Sequence, residues 1–168
     1  MLHAFAELQA AACELWLIVE DTNNHFLKNL IYELGIKDKV RVFGSVNNPI
    51  PFLLKANCLV LCSDYEGSPN VIAEALACKL PVIATDCDYG PRELLSPRTT
   101  TVPHKRLGDI EIVKHGILVP VGKTYSFSKA MRLCIDSPQL LDSFTKLALD
   151  RVLPLDIEKN IETYVDLF

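Results

Sequence analysis

A doubly wound α/β fold, a parallel sheet wrapped by helices and ending in further helices, is the class this sequence predicts. Three observations carry it. The apolar runs Leu15–Val19 (LWLIV) and Cys58–Cys62 (CLVLC) are continuous rather than alternating, as expected for strands covered on both faces. Between such runs lie segments whose apolar residues recur at helical spacing. The two kinds of segment alternate, which requires parallel strands joined by right-handed crossovers.

Taken in order, Met1 to about Ala12 places Leu2, Phe5, Ala6 and Leu8 on one helical face, and Leu15–Val19 follows as a strand. Residues from about Asn24 to Leu34 carry Phe26, Leu27, Leu30, Ile31 and Leu34 at helical spacing, with Gly35 as the stop. Val40–Phe43 is a short strand ending at Gly44, and Pro51 opens a short helix with Phe52, Leu53 and Leu54. Leu59–Leu61 is a buried strand. Ser68 and Pro69 then read as N-cap and first residue of the next helix. Pro81–Thr85 is a strand, Ser96–Gly108 a polar loop, and Ile117–Val121 a short apolar stretch. Helices over about Ser126–Ile135, Pro138–Val152 and Asp156–Phe168 complete the chain, and no repeat or linker divides residues 1–168.

Composition narrows the function. The 168 residues are 49% hydrophobic, enough for one substantial core and against disorder. A formal net charge of -4 argues against nucleic acid as a partner, because such binding rests on Lys and Arg against phosphates. No apolar run approaches a membrane span, and Glu7 and Glu14 break the N-terminal stretch, which also lacks the basic start of a signal peptide. Six cysteines at 13, 58, 62, 78, 87 and 134 include no C-x-x-C. They read as small core hydrophobes in a reducing cytoplasm, with Cys58 and Cys62 on one strand face. His3, His25, His104 and His115 form no pair at helical metal spacing, so no metal site is expected.

In an open parallel sheet, ligands bind beyond the carboxyl ends of the strands. The richest such loop follows Cys62: Ser63-Asp64-Tyr65-Glu66-Gly67-Ser68-Pro69-Asn70-Val71-Ile72-Ala73-Glu74. Gly67 allows close backbone approach, and the helix beyond it offers free N–H groups and the positive end of its dipole to a phosphate or diphosphate. Glu74, in the second helical turn, leans back toward the same mouth, where a carboxylate can accept two hydroxyl protons from a sugar diol. On residue chemistry alone, it can equally be a solvated helix residue. Arg92 has two readings, an ion pair or cap, or a phosphate contact.

The surrounding sequence resembles a known family. Ser63–Leu95 (SDYEGSPNVIAEALACKLPVIATDCDYGPRELL) is similar to the donor-binding region of retaining GT-B glycosyltransferases, with Glu66 and Glu74 as its E-x7-E pair, Pro81–Thr85 as its PVIAT strand and Gly90–Glu93 as its G-x-x-E turn. Lys39–Gly44 (KVRVFG) and His115–Gly122 (HGILVPVG) resemble the family's flanking strands, so the likeness covers nearly the whole chain. The resemblance implies that Glu74 binds ribose hydroxyls of a nucleotide-sugar, that Glu66 meets the transferred sugar in the catalytic role, and that Gly67, Ser68, Pro69, Asn70 and Val71 hold the diphosphate. It puts Gly44, Ser45 and Val46 against the base and makes Arg92 a donor-binding candidate. It further implies a UDP-sugar or GDP-sugar substrate, retention of configuration, no required cofactor or divalent metal, and a glycan or lipid-linked saccharide as acceptor. The location it implies is cytoplasmic, peripheral at the inner membrane face through another domain or partner.

The sequence also departs from that family. Only the C-terminal, donor-binding domain is represented; the N-terminal acceptor domain, and the first strand with its phosphate-neutralising Arg and Lys, have no counterpart before Met1. Glu20 and Asp21 stand where relatives carry a glycine-rich turn, and Lys79 stands in place of a glycine. Three functional readings follow: the donor half of a hexosyltransferase, inactive without an acceptor domain; a nucleotide-sugar-binding module serving a partner subunit; or an inactive fragment. A sugar-nucleotide epimerase of the same shape is a more distant alternative, because E-x7-E fits transfer better.

Overall fold

The computed structural model describes residues 1–8, 13–97 and 108–155. Among the described residues, seven α-helices and six strands follow one another. They are α1 (Leu2–Leu8), β1 (Leu15–Ile18), α2 (His25–Glu33), β2 (Val40–Phe43), α3 (Ile50–Leu53), β3 (Leu59–Leu61), α4 (Asn70–Ala77), β4 (Val82–Thr85), α5 (Pro91–Leu95), β5 (Glu111–Val113), β6 (Gly116–Val119), α6 (Thr124–Asp136) and α7 (Pro138–Val152). They alternate as expected from the first helix to the fourth strand, whereas the sequence does not predict the short helix α5 or the strand β5. The expected helix over Asp156–Phe168 and most of the polar loop lie outside the described residues.

Period-two alternation sorts the side chains of β3, β4 and β6 between two cores. Val60, Ile83, Ile117 and Val119 face one, which α1 and α6 cover with Leu2, Phe5, Leu8, Phe127, Ala130 and Met131. Leu59, Leu61, Val82, Ala84 and Leu118 face the other, closed by Leu53 of α3, Ile72, Ala75 and Leu76 of α4, Leu94 and Leu95 of α5, and Ala148 of α7. Helices on both faces explain why these strands read as unbroken apolar runs. β4 and β6 are buried at every position. Each large side chain there contributes about 1.5–3 kcal/mol relative to exposure.

Strand pairing follows a pattern the sequence does not display. β1 and β2 pair in parallel as one two-stranded sheet, while β3-β4-β6-β5 form a second. β3, β4 and β6 are parallel, and β5 returns antiparallel along the edge, with Ile112 opposite Ile117. β5 falls where the sequence shows only a polar loop and its margin. Leu15, Leu17, Val40 and Val42 join the first core, so the two sheets share one apolar face. On the reverse face of β1 and β2, the rings of Trp16, Phe43 and Phe52 meet edge to face at centroid distances of 5.0–6.3 Å.

Local signals account for most boundaries. The Asn24 side chain accepts from the Leu27 N–H at 3.1 Å and starts α2. Gly35, at φ +66°, ends it: Ile36 N–H reaches back to the Ile31 carbonyl at 3.2 Å and Gly35 N–H to that of Tyr32 at 3.0 Å. Two expectations need correction. α4 begins at Asn70 with Pro69 in the cap position and no side chain capping it, so Ser68 lies outside the helix. β3 ends at Leu61, which leaves Cys62 exposed rather than in the core, while Cys87 and Cys134 are buried and Cys13, Cys58 and Cys78 half-buried.

Candidate functional site

The loops after β3 and β4 and the first turn of α4 come together at the carboxyl end of the four-stranded sheet. The Thr85 hydroxyl, buried at the end of β4, donates to the Ser63 carbonyl and ties the root of the β3 loop to its neighbour. The loop then runs through Glu66, half-buried, and Gly67 and Ser68, both exposed, to buried Pro69. At Ile72 the amide already turns to the Pro69 carbonyl at 2.9 Å. With no side-chain cap, the positive end of the α4 dipole is left to solvent or ligand through the exposed Asn70 and the half-buried Val71.

The two glutamates flank this end. Glu74 is half-buried one turn into α4. Burial pushes the thiol of Cys78, four residues on, above its ordinary value, and the negative charge of Glu74 adds to the shift. On the other side, burial raises the thiol of Cys87 in the β4–α5 loop, and the negative charge of Glu66 adds to that rise. That loop touches the site directly. Gly90 is buried at φ +91°, and a Cβ built there would stand 2.4 Å from Cδ of Pro69 and 2.6 Å from the Gly67 carbonyl oxygen.

Arg92 shows the first of its two sequence readings. Its guanidinium donates to both oxygens of Asp86, at 2.8 Å each, and to Glu111 Oε2 at 2.7 Å. The Asp86 side chain is only 5% exposed, and the hydrogen bonds its carboxylate accepts raise the Arg92 pKa beyond its already high ordinary value. Gly44, Ser45 and Val46 follow β2, on the two-stranded sheet. Gly44 is half-buried beside Thr22, whose Cγ2 would lie 3.6 Å from a Cβ there, while Ser45 is exposed. The loops after β1 and β2 therefore lie against each other, as those after β3 and β4 do.

Two features of the site lie beyond sequence reasoning, the seat of Gly67–Pro69 on Gly90 and the Thr85–Ser63 hydrogen bond. For Arg92 the sequence offers an ion pair or cap but does not name Asp86 and Glu111 as its partners. The Gly90-Pro91 dipeptide signals a turn, but nothing in it names the loop against which the turn rests. Among the described residues, no three His, Cys, Asp or Glu side chains are gathered as metal ligands, and no helix is long and apolar enough to cross a membrane.

Comparison with known proteins places this arrangement. Over 93% of its length the chain is 29% identical to the N-acetylgalactosamine-N,N'-diacetylbacillosaminyl-diphospho-undecaprenol 4-alpha-N-acetylgalactosaminyltransferase of Campylobacter jejuni, spanning 38% of that relative. The fold superimposes on a mutant of S. aureus TarM in complex with fondaparinux, alpha-GlcNAc-glycerol and UDP, with a TM-score of 0.79 at 18% identity, covering 99% of this chain and 31% of that one. It also matches Anabaena HepE in complex with UDP, with a TM-score of 0.74 at 20% identity, covering 99% of this chain and 44% of that one. These neighbours are GT-B glycosyltransferases. The family model described as glycosyl transferases group 1 matches residues 1–151, and the chain belongs to that family.

Proposed function

We propose that this chain is the donor-binding half of a retaining glycosyltransferase that moves a hexose from a UDP-sugar or GDP-sugar to a glycan or lipid-linked acceptor. The observation that carries the reading is the uncapped start of α4, set between the half-buried carboxylates of Glu66 and Glu74. A diphosphate bound along Gly67–Val71 would receive backbone N–H groups and the helix dipole, which stabilise the negative charge that grows on it as the sugar leaves. Glu74 would accept the two ribose hydroxyls, a task for a carboxylate with several free lone pairs. Glu66 would meet the transferred sugar, and the base would lie along Gly44–Val46.

The names of relatives and neighbours agree with this reading: UDP accompanies both TarM and HepE, and the Campylobacter relative is named for transfer onto a diphospho-undecaprenol saccharide. The chain spans under two-fifths of that relative. Acceptor binding and completion of the catalytic centre then fall to a second domain or subunit, and a lipid-linked acceptor would be met at the inner face of the membrane.

Calorimetric titration of the chain with UDP and GDP, beside Glu74→Ala, tests the proposal. Hydrogen bonds to a charged group are worth about 1.5–3 kcal/mol, so Glu74→Ala should weaken nucleotide binding by about tenfold or more. Equal affinity in the variant removes the ribose assignment. A folded wild-type chain that binds neither nucleotide overturns the donor-binding reading.

A further inference from the structure

We infer that Gly90 is a positioning residue for the diphosphate, acting through the backbone of Gly67–Pro69 that rests on it; this rests on the reading of Gly67–Val71 as the phosphate cradle. Gly90 holds φ +91° and ψ -68°, near the tight γ-turn geometry that is rare and strained for residues with side chains. The hydrogen bond that normally closes such a turn needs the N–H of the next residue, and Pro91 has none. The shape is held from α5 instead. Glu93 accepts the Gly90 N–H at 3.3 Å, and the Gly90 carbonyl accepts from Leu94 N–H at 3.0 Å.

Conformation is only half of the requirement. A methyl group at Gly90 would stand 2.6 Å from the Gly67 carbonyl oxygen and 2.4 Å from Pro69 Cδ. Non-bonded carbons rest at about 3.5–4.0 Å, so the Gly67–Pro69 backbone would have to retreat by about 1 Å. Those atoms lead directly into Asn70 and Val71, the amides at the start of α4. The loop is fixed at its other end by the Thr85 hydroxyl on the Ser63 carbonyl, so displacement at Gly67 cannot be relieved by sliding the whole segment. Gly35 separates the two requirements. Its φ is +66°, yet nothing lies within 4 Å of a Cβ there, so alanine at Gly35 carries backbone strain without the collision.

The test compares uridine with UDP, measuring each dissociation constant by ligand-observed NMR on wild type, Gly90→Ala and Gly35→Ala. Gly90→Ala should bind UDP about tenfold or more weakly while uridine stays within about twofold, because only the diphosphate touches the displaced amides. Gly35→Ala should lower Tm and leave both constants unchanged. A Gly90→Ala protein that keeps wild-type UDP affinity, or that loses uridine and UDP in equal proportion, overturns the inference. If Gly90→Ala does not fold, Thr85→Val, which releases the Ser63 carbonyl, should give the same UDP-selective loss; unchanged UDP affinity there overturns it. Failure of the wild type to bind UDP is a different result, since it removes the reading of the site itself.

Discussion

His115, next to the first residue of β6, shows how one side chain can set a pH limit on the fold. It is 2% exposed, and its Nδ1 has no hydrogen-bond partner. Burial lowers its pKa from the ordinary 6.5; the positive charges of Lys114 and Arg151 act the same way, against the backbone of Leu147 and the charge of Asp150. The sign follows from linkage. A histidine with a depressed folded pKa is taken up neutral, so its contribution is intact above the ordinary value and is lost as pH falls below 6.5. Thermal unfolding should therefore give a lower Tm at about pH 5.5 than at about pH 7.5, and His115→Leu should shrink that difference. A variant with an unaltered pH dependence would show that another group sets it. At the candidate site, the spacing puts Glu66 before the start of α4 and Glu74 one turn inside it, and both residues are half-buried there; the roles proposed for them come from the family resemblance, which the spacing alone does not carry.

At the scale of elements, Arg92 joins three of them: Asp86 at the end of β4, its own helix α5, and Glu111 of β5. Arg92 is 17% and Asp86 5% exposed, so removing the cation strands a buried carboxylate, a change that costs about 3–5 kcal/mol. Arg92→Met should lose stability on that scale in denaturant titration. Glu111→Gln, at a carboxylate 37% exposed, should lose only about 1 kcal/mol or less. If the two variants cost the same, the Asp86 pair is not the stronger member. Helices were legible where periodicity and caps agreed, as in α2 between Asn24 and Gly35. The start of α4 was not, because Ser68-Pro69 reads as cap and first residue, whereas Pro69 itself takes the cap position, where its ring lies against Gly90. β5 was hidden for a different reason. Three residues of an edge strand carry too little apolar pattern to separate them from the loop before them.

Across the whole molecule, the fold class was legible because apolar runs alternate with segments of helical period, although β1 and β3, which hold the runs that carried it, are at most half-buried; the order of strand pairing leaves no trace in those runs. The result is an uneven sheet. β4 and β6 are buried throughout, whereas β1 and β2 are at best half-buried and form a pair of their own. Two-stranded sheets are marginal by themselves, so the β1–β2 pair should open locally at lower free energy than the four-stranded sheet. Hydrogen exchange should find the amides of Val82–Thr85 and Gly116–Val119 protected longer than those of Leu15–Ile18 and Val40–Phe43; equal protection would mean that the shared apolar face binds both sheets into one cooperative unit. Two rings of the edge-to-face cluster, Trp16 and Phe43, stand on the weaker pair and pack against Phe52 of α3, and Trp16 is the chain's one tryptophan. Intrinsic fluorescence is therefore a local gauge: its unfolding transition tracks the β1–β2 pair, and an emission change that precedes the loss of circular dichroism would record that pair parting while the loops around α4 still stand.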